Sequence, residues 1–142
     1  MSLKSIMTKI RWVNEEVWVK GNLDAMDEIY RADCILHSPP LPDVQGLEAA
    51  KEHVAGIRDA YSDVQITDGE MIGEGDRVVH RYHWRAKHTG HSQTLPIPPT
   101  GKEVGMDKCV VVRIADDQIA EEFEYADYLG FLQQLGVVPP LG

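Results

Sequence analysis

Apolar residues in the first sixty positions recur three or four apart, which is the spacing of helices with one buried face. A first helix is predicted to end before Gly21, because glycine readily adopts the left-handed backbone that follows a helix. Asn22 is placed to cap a short second helix, and a third helix is predicted after Gly46. The apolar positions of the three helices are Leu3, Ile6, Met7, Ile10, Val13 and Val17; Leu23, Met26, Ile29 and Tyr30; and Leu47, Ala50, Val54, Ile57 and Tyr61.

Apolar and polar residues alternate in the second half of the chain, which is typical of β-strands with two different faces. Two glycines within 73–76 and the pair Asp116-Asp117 predict tight turns. A closing helix is predicted over 128–135, before Gly136. The predicted strands are 34–37, between the second and third helices, and then 64–72, 77–89, 104–114 and 119–127.

This order of elements predicts an α+β fold, with three N-terminal helices and a short C-terminal helix gathered against a mainly antiparallel sheet. Long strands covered by helices on one face can curl into a cone with a pocket at its mouth. No repeat or linker divides residues 1–142, so one domain is expected.

Charge changes the range of expected partners. The chain carries 14 Lys and Arg residues against 23 Asp and Glu, a formal charge of −9, which disfavours binding to nucleic acid. No stretch approaches the roughly 20 apolar residues of a membrane span, and the N-terminus lacks a signal-peptide core, so a cytoplasmic protein is expected. Cys34 and Cys109 both lie in apolar runs, which favours two buried thiols over a disulfide.

Several motifs of cofactor chemistry are missing. The segment 73–75 lacks the lysine and helix that follow a phosphate-binding loop. His80 and His83 are three apart on a strand and therefore point to opposite faces; His88 and His91 flank a loop, where a metal ion is the less favoured interpretation. The sequence also lacks the Gly-x-Ser-x-Gly motif that would carry the nucleophile of Ser-His-Asp catalysis. We expect no metal and no cofactor.

Asp127 is the most informative carboxylate, with two competing interpretations. It follows Phe123 and Tyr125 on one strand face, opposite Glu122 and Glu124. If the aromatic face points inward, desolvation raises the pKa of Asp127 from about 3.9 toward neutrality, which suits general acid–base catalysis beside a carbonyl. As the residue before a helix, it can instead cap that helix, which lowers the pKa. The sequence pattern alone favours the cap.

Further candidate binding residues lie on the strands and the first helix. His37 could donate to a ligand oxygen or bond only to the backbone. Arg81 could anchor a carbonyl or anionic group, or pair with an acidic residue across the sheet. Some of the aromatic residues expected in the core could also line a ligand cavity: Trp12, Trp18, Tyr82, Trp84 and Phe123.

An ordered set of motifs resembles the SnoaL-like polyketide cyclases across nearly the whole chain. Each motif is weakly specific, whereas their common order is distinctive. The motifs are 13–24, which contains Trp18-Val19-Lys20-Gly21-Asn22; 33–39, which contains His37; 74–79; 88–90; 97–102; and 127–136.

The resemblance implies the α+β cone of nuclear-transport-factor-two-like proteins. It also implies an intramolecular aldol condensation that closes a ring in a polyketide ester, without metal or organic cofactor. The family's acid–base residue is an aspartate at the start of the closing helix, and the matching position is Asp127. This shifts the balance for Asp127 toward catalysis, and it implies that His37, Trp12, Trp84 and Phe123 face the cavity.

Departures from the family pattern leave the substrate open. Val110 stands where a polar residue is expected, Val13 where an aromatic is common, and His83 and Lys87 replace small polar residues. A cyclase-type enzyme acting on a small apolar carbonyl compound is therefore weighed against a non-catalytic binding protein. A third possibility is an epoxide hydrolase or ketosteroid-isomerase-like enzyme, which needs a partner for Asp127 from among Glu70, Asp107 and Tyr125.

The outer face of the sheet is expected to form a homodimer. Whichever face of the strand 77–89 points outward mixes apolar and stacking residues, and an exposed face of this kind is often a partner surface.

Overall fold

The helices and the long strands follow one another in the predicted order. The structure, a computed structural model, describes residues 2–142. The helices are α1 (Leu3–Trp18), a short 3-10 helix (Leu23–Glu28), α2 (Leu47–Ala60) and α3 (Tyr128–Gln134). The strands are β1 (Tyr30–His37), β2 (Val44–Gln45), β3 (Tyr61–Glu74), β4 (Arg77–His88), β5 (Glu103–Ala115) and β6 (Gln118–Ala126).

The six strands form one curved sheet in the order β2-β1-β6-β5-β4-β3. β1 runs parallel to β6, with His37 opposite Phe123, and the other neighbouring strands are antiparallel. The pairing of β3 with β4 shifts register twice, between Ser62 and Gln65 and between Asp68 and Met71. Such bulges bend a strand and increase its twist, which helps the sheet curve around the helices.

Tight turns connect β3 to β4 and β5 to β6, as the sequence predicts. Gly75 has a φ of 60° between β3 and β4, a conformation that costs glycine little because it has no Cβ. Asp116 and Asp117 have φ values of 52° and 61° between β5 and β6. Two successive residues with positive φ are typical of a type I′ hairpin turn, in which Asp is among the tolerated residues.

The core lies between the inner face of the sheet and the apolar faces of the helices. α1 buries Ile6, Ile10, Val13 and Val17 and lies against β3 and the 3-10 helix. On the sheet, alternate residues of β4 and β5 point into this core because successive side chains of a strand point to opposite faces. These inward residues are Val78, His80, Tyr82, Trp84 and Ala86, and Val104, Met106, Lys108, Val110 and Val112.

The structure confirms the predicted α+β class and corrects several local details. β1 begins at Tyr30 rather than at residue 34, and Tyr61 begins β3 instead of ending α2. Asn22 makes no side-chain cap for the 3-10 helix; its amide lies 3.5 Å from the Glu16 carboxylate. β2 was not predicted, because a two-residue strand carries no periodicity and forms only through its pairing with β1.

Gly90 fixes the start of the loop 89–102 against the end of α2. Its N–H donates to the Ala60 carbonyl at 2.9 Å, and a Cβ at this position would lie 2.0 Å from the Asp59 carbonyl oxygen. Gly75 provides a matched contrast, because a Cβ there would have no neighbour within 4 Å.

We therefore expect Gly90→Ala to lower the free energy of unfolding more than Gly75→Ala. The left-handed backbone alone costs Gly75→Ala about 1 kcal/mol, whereas the backbone clash costs Gly90→Ala about 2 kcal/mol or more. Urea denaturation of the two variants and the wild type measures both values. Equal losses would contradict the close approach of residue 90 to α2.

Candidate functional site

A cavity of about 310 Å³ lies between the inner face of the sheet and the helices. Most of its wall is apolar, and the loops around Pro40-Leu41 and 92–95 contribute further residues. Ligand sites in proteins are commonly of this kind, largely apolar with a few polar groups that fix orientation. Its apolar wall includes Ile10, Val13, Val17, Trp18, Met26, Ile29, Leu36, Trp84, Met106, Val110 and Phe131.

Two carboxylates enter this cavity from β6. Glu122 and Glu124 line it because they alternate with Phe123, which points to the other face. The Tyr30 hydroxyl donates to Glu122 Oε1 at 2.6 Å. Burial raises the pKa of Glu122 to about 7; the nearby charge of Glu124 adds to the rise, while the Tyr30 hydrogen bond and Lys108 partly oppose it. Glu122 can therefore lose and regain a proton near neutral pH.

Glu124, by contrast, is kept ionised by a buried ion pair. Lys108 Nζ lies 2.8 Å from Glu124 Oε1, and the Ser38 hydroxyl donates to Oε2 at 2.9 Å. Burial by itself raises the pKa of Glu124, but the charge and hydrogen bond of Lys108, with the Ser38 hydrogen bond, hold that pKa below its ordinary value. The Lys108 ammonium also lies 4.9 Å from the Trp18 ring centre and 5.3 Å from that of Trp84.

Other polar side chains of the wall are kept uncharged by burial. Burial lowers the pKa of His53 against the opposing charge of Glu124, so its imidazole is neutral at pH 7. Burial raises the pKa of the Tyr82 and Tyr128 hydroxyls, with Glu124 adding to both shifts, so each remains a hydrogen-bond donor. The cavity thus combines one ion pair, one carboxyl group poised near neutrality and several neutral polar groups.

His80 lies on the β4 side of the cavity and is 4% exposed. Its Nε2 is 2.5 Å from Asp68 Oδ1, and the other carboxylate oxygen of Asp68 pairs with Arg11 of α1. Burial, with the charge of Arg11 as a second cause, lowers the pKa of His80 to about 4.

Trp18, Tyr82 and Trp84 are the predicted cavity-lining residues that the structure places in the cavity wall. Trp84 is 1% exposed, and its ring meets Trp18 and Tyr61 edge-on. Tyr82 and Trp84 belong to the inward face of β4, whose orientation the sequence left open, and Trp18 is the last residue of α1.

Asp127 lies outside the cavity wall among the described residues, at an exposed position before α3. Its Oδ1 accepts the Gly130 N–H at 2.9 Å, which confirms the interpretation as a helix cap. The expectation of an inward aromatic face on β6 is wrong, because Glu122 and Glu124 face the cavity. The catalytic role of Asp127 stays a prediction.

His37 and Phe123 stack on each other at 4.6 Å between ring centres, away from the cavity wall. His37 Nε2 lies 2.7 Å from Glu121 and Nδ1 lies 2.9 Å from Asp43. The Glu121 hydrogen bond, with Asp43 adding and burial opposing, raises the pKa of His37. These pairs occupy both ring nitrogens, and the predicted ligand-binding roles of His37 and Phe123 stay predictions.

Trp12 and Arg81 also lie outside the cavity wall. Trp12 is 46% exposed on the outer side of α1. Arg81 points away from the cavity and pairs with Glu70 at 2.9 Å, as the cross-sheet alternative expected. Their ligand-binding roles stay predictions.

The three proposed acidic or tyrosine partners for Asp127 also lie away from the cavity wall of the described chain. Glu70 binds Arg81, Asp107 lies 2.9 Å from His83, and Tyr125 is 56% exposed. An epoxide-hydrolase or isomerase mechanism based on these groups therefore has no geometric support.

Both cysteines are free thiols; Cys34 is buried, as expected, whereas Cys109 is only half-buried. Within residues 2–142, no group of three His, Cys, Asp or Glu side chains could hold a metal ion. No helix of the same range has the length and apolar character that crossing a membrane requires.

The sequence interpretation missed the charged residues of the cavity. The burial of Lys108 could have been recognised from the sequence, because Lys108 occupies the same alternate positions of β5 as the apolar residues Met106 and Val110. A lysine on the apolar face of a strand is rarely buried without a partner of opposite charge. The carboxylates Glu122 and Glu124 share one phase of β6, but only the orientation of that strand shows that this phase faces inward.

Residues 8–135 match the family model of the SnoaL-like polyketide cyclases. The chain belongs to this family. It is 27% identical over 96 residues to the aklanonic acid methyl ester cyclase DnrD of Streptomyces peucetius, an alignment that covers 67% of this chain and 65% of that enzyme, just under two thirds of its length.

Solved structures of this family share the fold. A protein of Jannaschia sp. CCS1 described as a SnoaL-like polyketide cyclase superposes with a TM-score of 0.86 at 21% identity, covering 99% of this chain and 98% of that one. One of Acidithiobacillus ferrooxidans, described as a polyketide cyclase, has a TM-score of 0.80 at 27% identity and covers 96% and 98%. The fold is therefore the nuclear-transport-factor-2-like fold of the SnoaL family.

The raised pKa of Glu122 makes a prediction about stability. Unfolded Glu122 loses its proton near pH 4.5, whereas the folded protein keeps it up to about pH 7. The unfolded state therefore binds fewer protons between these values, and the contribution of Glu122 to stability falls as pH rises. We expect Glu122→Gln to gain up to about 3 kcal/mol relative to the wild type between pH 4 and pH 8.

Urea denaturation at pH 4, 6 and 8 measures this difference. Glu52→Gln is the matched control, because Glu52 is an exposed residue of α2. Parallel pH profiles for the two variants would show that Glu122 is not a desolvated carboxyl group.

Proposed function

We propose that the protein is a cyclase-type enzyme that catalyses an intramolecular aldol condensation, or a related reaction, on a small apolar carbonyl compound by acid–base chemistry without a cofactor. The observation that carries the proposal is Glu122, a carboxyl group with a pKa of about 7 inside an apolar cavity. A general base works best when its pKa lies near the working pH, because it is then both ionised and sufficiently basic.

In this mechanism, Glu122 removes a proton from the carbon next to the substrate carbonyl. The electron pair of the C–H bond moves into an enolate, whose carbon then attacks a second carbonyl of the same molecule and closes the ring. The proton taken by Glu122 can return to the new alkoxide. The Tyr30 hydroxyl, 2.6 Å from Glu122, holds the carboxylate in place during both transfers.

Lys108 is the cation of the cavity that would stabilise the enolate oxygen. Groups that are already oriented toward a developing negative charge contribute strongly to catalysis in sites shielded from water. Glu124 keeps the Lys108 ammonium oriented at 2.8 Å. The neutral His53 and the hydroxyls of Tyr82 and Tyr128 are further polar groups of the same wall.

Family membership supports a cyclase, and the name of DnrD describes an enzyme that acts on a methyl ester. The apolar wall supports an uncharged carbonyl compound as ligand, since burying a free charge there would be costly.

The cytoplasm is the proposed location, because two free cysteines suit a reducing compartment.

Deuterium exchange of 2-tetralone tests the proton-transfer step without knowledge of the natural substrate. We expect the wild type to accelerate exchange at the carbon next to the carbonyl, as followed by proton NMR in D₂O. Glu122→Gln should lower the catalysed rate by a factor of about 10² or more, as is usual for loss of a general base. Asp127→Asn should change the rate less than about threefold, because this residue caps α3 and lies outside the cavity wall of the described chain.

The reverse result, with exchange lost in Asp127→Asn and kept in Glu122→Gln, would assign catalysis to Asp127 as the family resemblance implies. If the wild type binds 2-tetralone but does not accelerate exchange, the enzyme proposal fails. The non-catalytic binding function would then be the better description.

We also propose a homodimer through the outer face of the sheet. Val79, Val111 and Phe123 form an apolar row across β4, β5 and β6 on this face. Tyr125 extends the row and is 56% exposed.

Light scattering at micromolar concentration should give twice the chain mass of 15.9 kDa. Val111→Arg should shift the protein toward the monomer with an unchanged far-ultraviolet dichroism spectrum. A wild-type mass of one chain would contradict the dimer.

A further inference from the structure

His80 is a polar group of the cavity that the proposed proton transfer does not use. It points inward from β4, opposite Val110 of β5, which in turn lies opposite Glu124 of β6. Two strand spacings, roughly 10 Å, therefore separate the backbones of His80 and Glu124. The cavity has polar groups on two sides, with the apolar side chain of Val110 between them.

Asp68 fixes the orientation of the His80 ring. The 2.5 Å contact of Nε2 with Asp68 Oδ1 commits that nitrogen to the carboxylate. Arg11 pairs with the other oxygen of Asp68 and also donates to the Gly69 carbonyl at 3.3 Å. A carboxylate held by a guanidinium is a firm hydrogen-bond acceptor, so Asp68 favours the tautomer with hydrogen on Nε2.

This tautomer leaves the lone pair on His80 Nδ1. A neutral imidazole has one N–H donor and one acceptor nitrogen, and burial keeps His80 neutral by lowering its pKa to about 4. Among residues 2–142, the His80 ring bonds to Asp68 through Nε2, and it lies beside Tyr82 with 5.0 Å between ring centres. Because His80 lines the cavity, a ligand there can supply the donor for this acceptor nitrogen.

We propose that His80, oriented by Asp68, is a second ligand-binding group that accepts a hydrogen bond from an enol or phenol hydroxyl of the substrate. The inference rests on the proposed use of the cavity for a carbonyl compound, and it narrows that class to molecules with a hydroxyl on the side away from the carboxylates. His80 binds the substrate hydroxyl on one side of the cavity, while Glu122 transfers the proton on the other side. A methyl ether at the same place has no proton to donate and loses the contact.

The competing explanation is a structural one, in which Arg11, Asp68 and His80 only attach α1 to the sheet. Ligand binding separates the two explanations, because a purely structural contact does not distinguish a hydroxyl from a methoxy group. The probes are 2-naphthol and 2-methoxynaphthalene, which share an aromatic body and differ at that group.

Long-range proton–nitrogen NMR of the histidine rings reports the state of His80 directly, with His80→Leu assigning its signals. We expect the free wild type to show hydrogen on Nε2 and an acceptor-type shift at Nδ1. 2-Naphthol should move the Nδ1 signal toward that of a hydrogen-bonded nitrogen, whereas 2-methoxynaphthalene should not. Binding of 2-naphthol with an unchanged Nδ1 signal, or no binding at millimolar concentration, would overturn the proposal.

Affinities of the variants give the second readout. His80→Leu should weaken 2-naphthol about five- to tenfold, the effect of one neutral hydrogen bond. It should change 2-methoxynaphthalene less than about twofold, which also shows that the cavity is intact. His83→Leu, on the outer face of β4, is the matched control and should change neither affinity.

Equal weakening of both probes by His80→Leu, together with an unchanged Nδ1 signal in the wild type, would establish the structural explanation. Glu122→Gln separates this inference from the proposed function. This variant should lose exchange of 2-tetralone but keep the discrimination between the two naphthalene probes. A wild type that does not catalyse exchange of 2-tetralone but still distinguishes 2-naphthol from 2-methoxynaphthalene would reject the proposed catalysis and leave the role of His80 intact.

Discussion

The buried ion pair between Lys108 and Glu124 sets the electrostatics of the whole cavity. A lone charge in an apolar cavity is costly, and removal of either partner leaves the other uncompensated. The pair keeps Glu124 ionised, and the Glu124 charge in turn helps hold the proton on Glu122. Two carboxyl groups on one strand thus acquire different protonation states, which is the condition for acid–base chemistry near neutral pH.

The fold turns this pair into a site by placing it on the curved face of a sheet. β4, β5 and β6 contribute neighbouring inward residues, and the helices cover them with apolar side chains. Trp18, Trp84 and aliphatic side chains therefore surround the charges. The same arrangement puts His80 on a different strand from the carboxylates, so that an elongated ligand can meet polar groups on two sides.

Asp127 illustrates how a local motif and a three-dimensional site can diverge. The residue precedes α3, and its hydrogen bond to the Gly130 N–H is the local consequence of that position. Glu122 and Glu124 lie only a few residues earlier on β6, but the sheet directs them into the cavity. Aromatic residues at 123 and 125 gave the opposite impression, because an aromatic face is often an inner face; here it is the outer one, where Phe123 stacks on His37.

Most of the architecture was predictable from the sequence, because helical and strand periodicities and turn residues such as Asp116-Asp117 are local properties. The α+β class, the order of the long elements and the cap at Asp127 follow from them, whereas the family was indicated by the resemblance of the ordered motifs. The choice of inward face on β4 and β6 depended on the tertiary structure, since alternation alone is symmetric between two faces. The pairings of Lys108 with Glu124 and of His80 with Asp68 join residues distant along the chain, so only the register of the sheet brought them together.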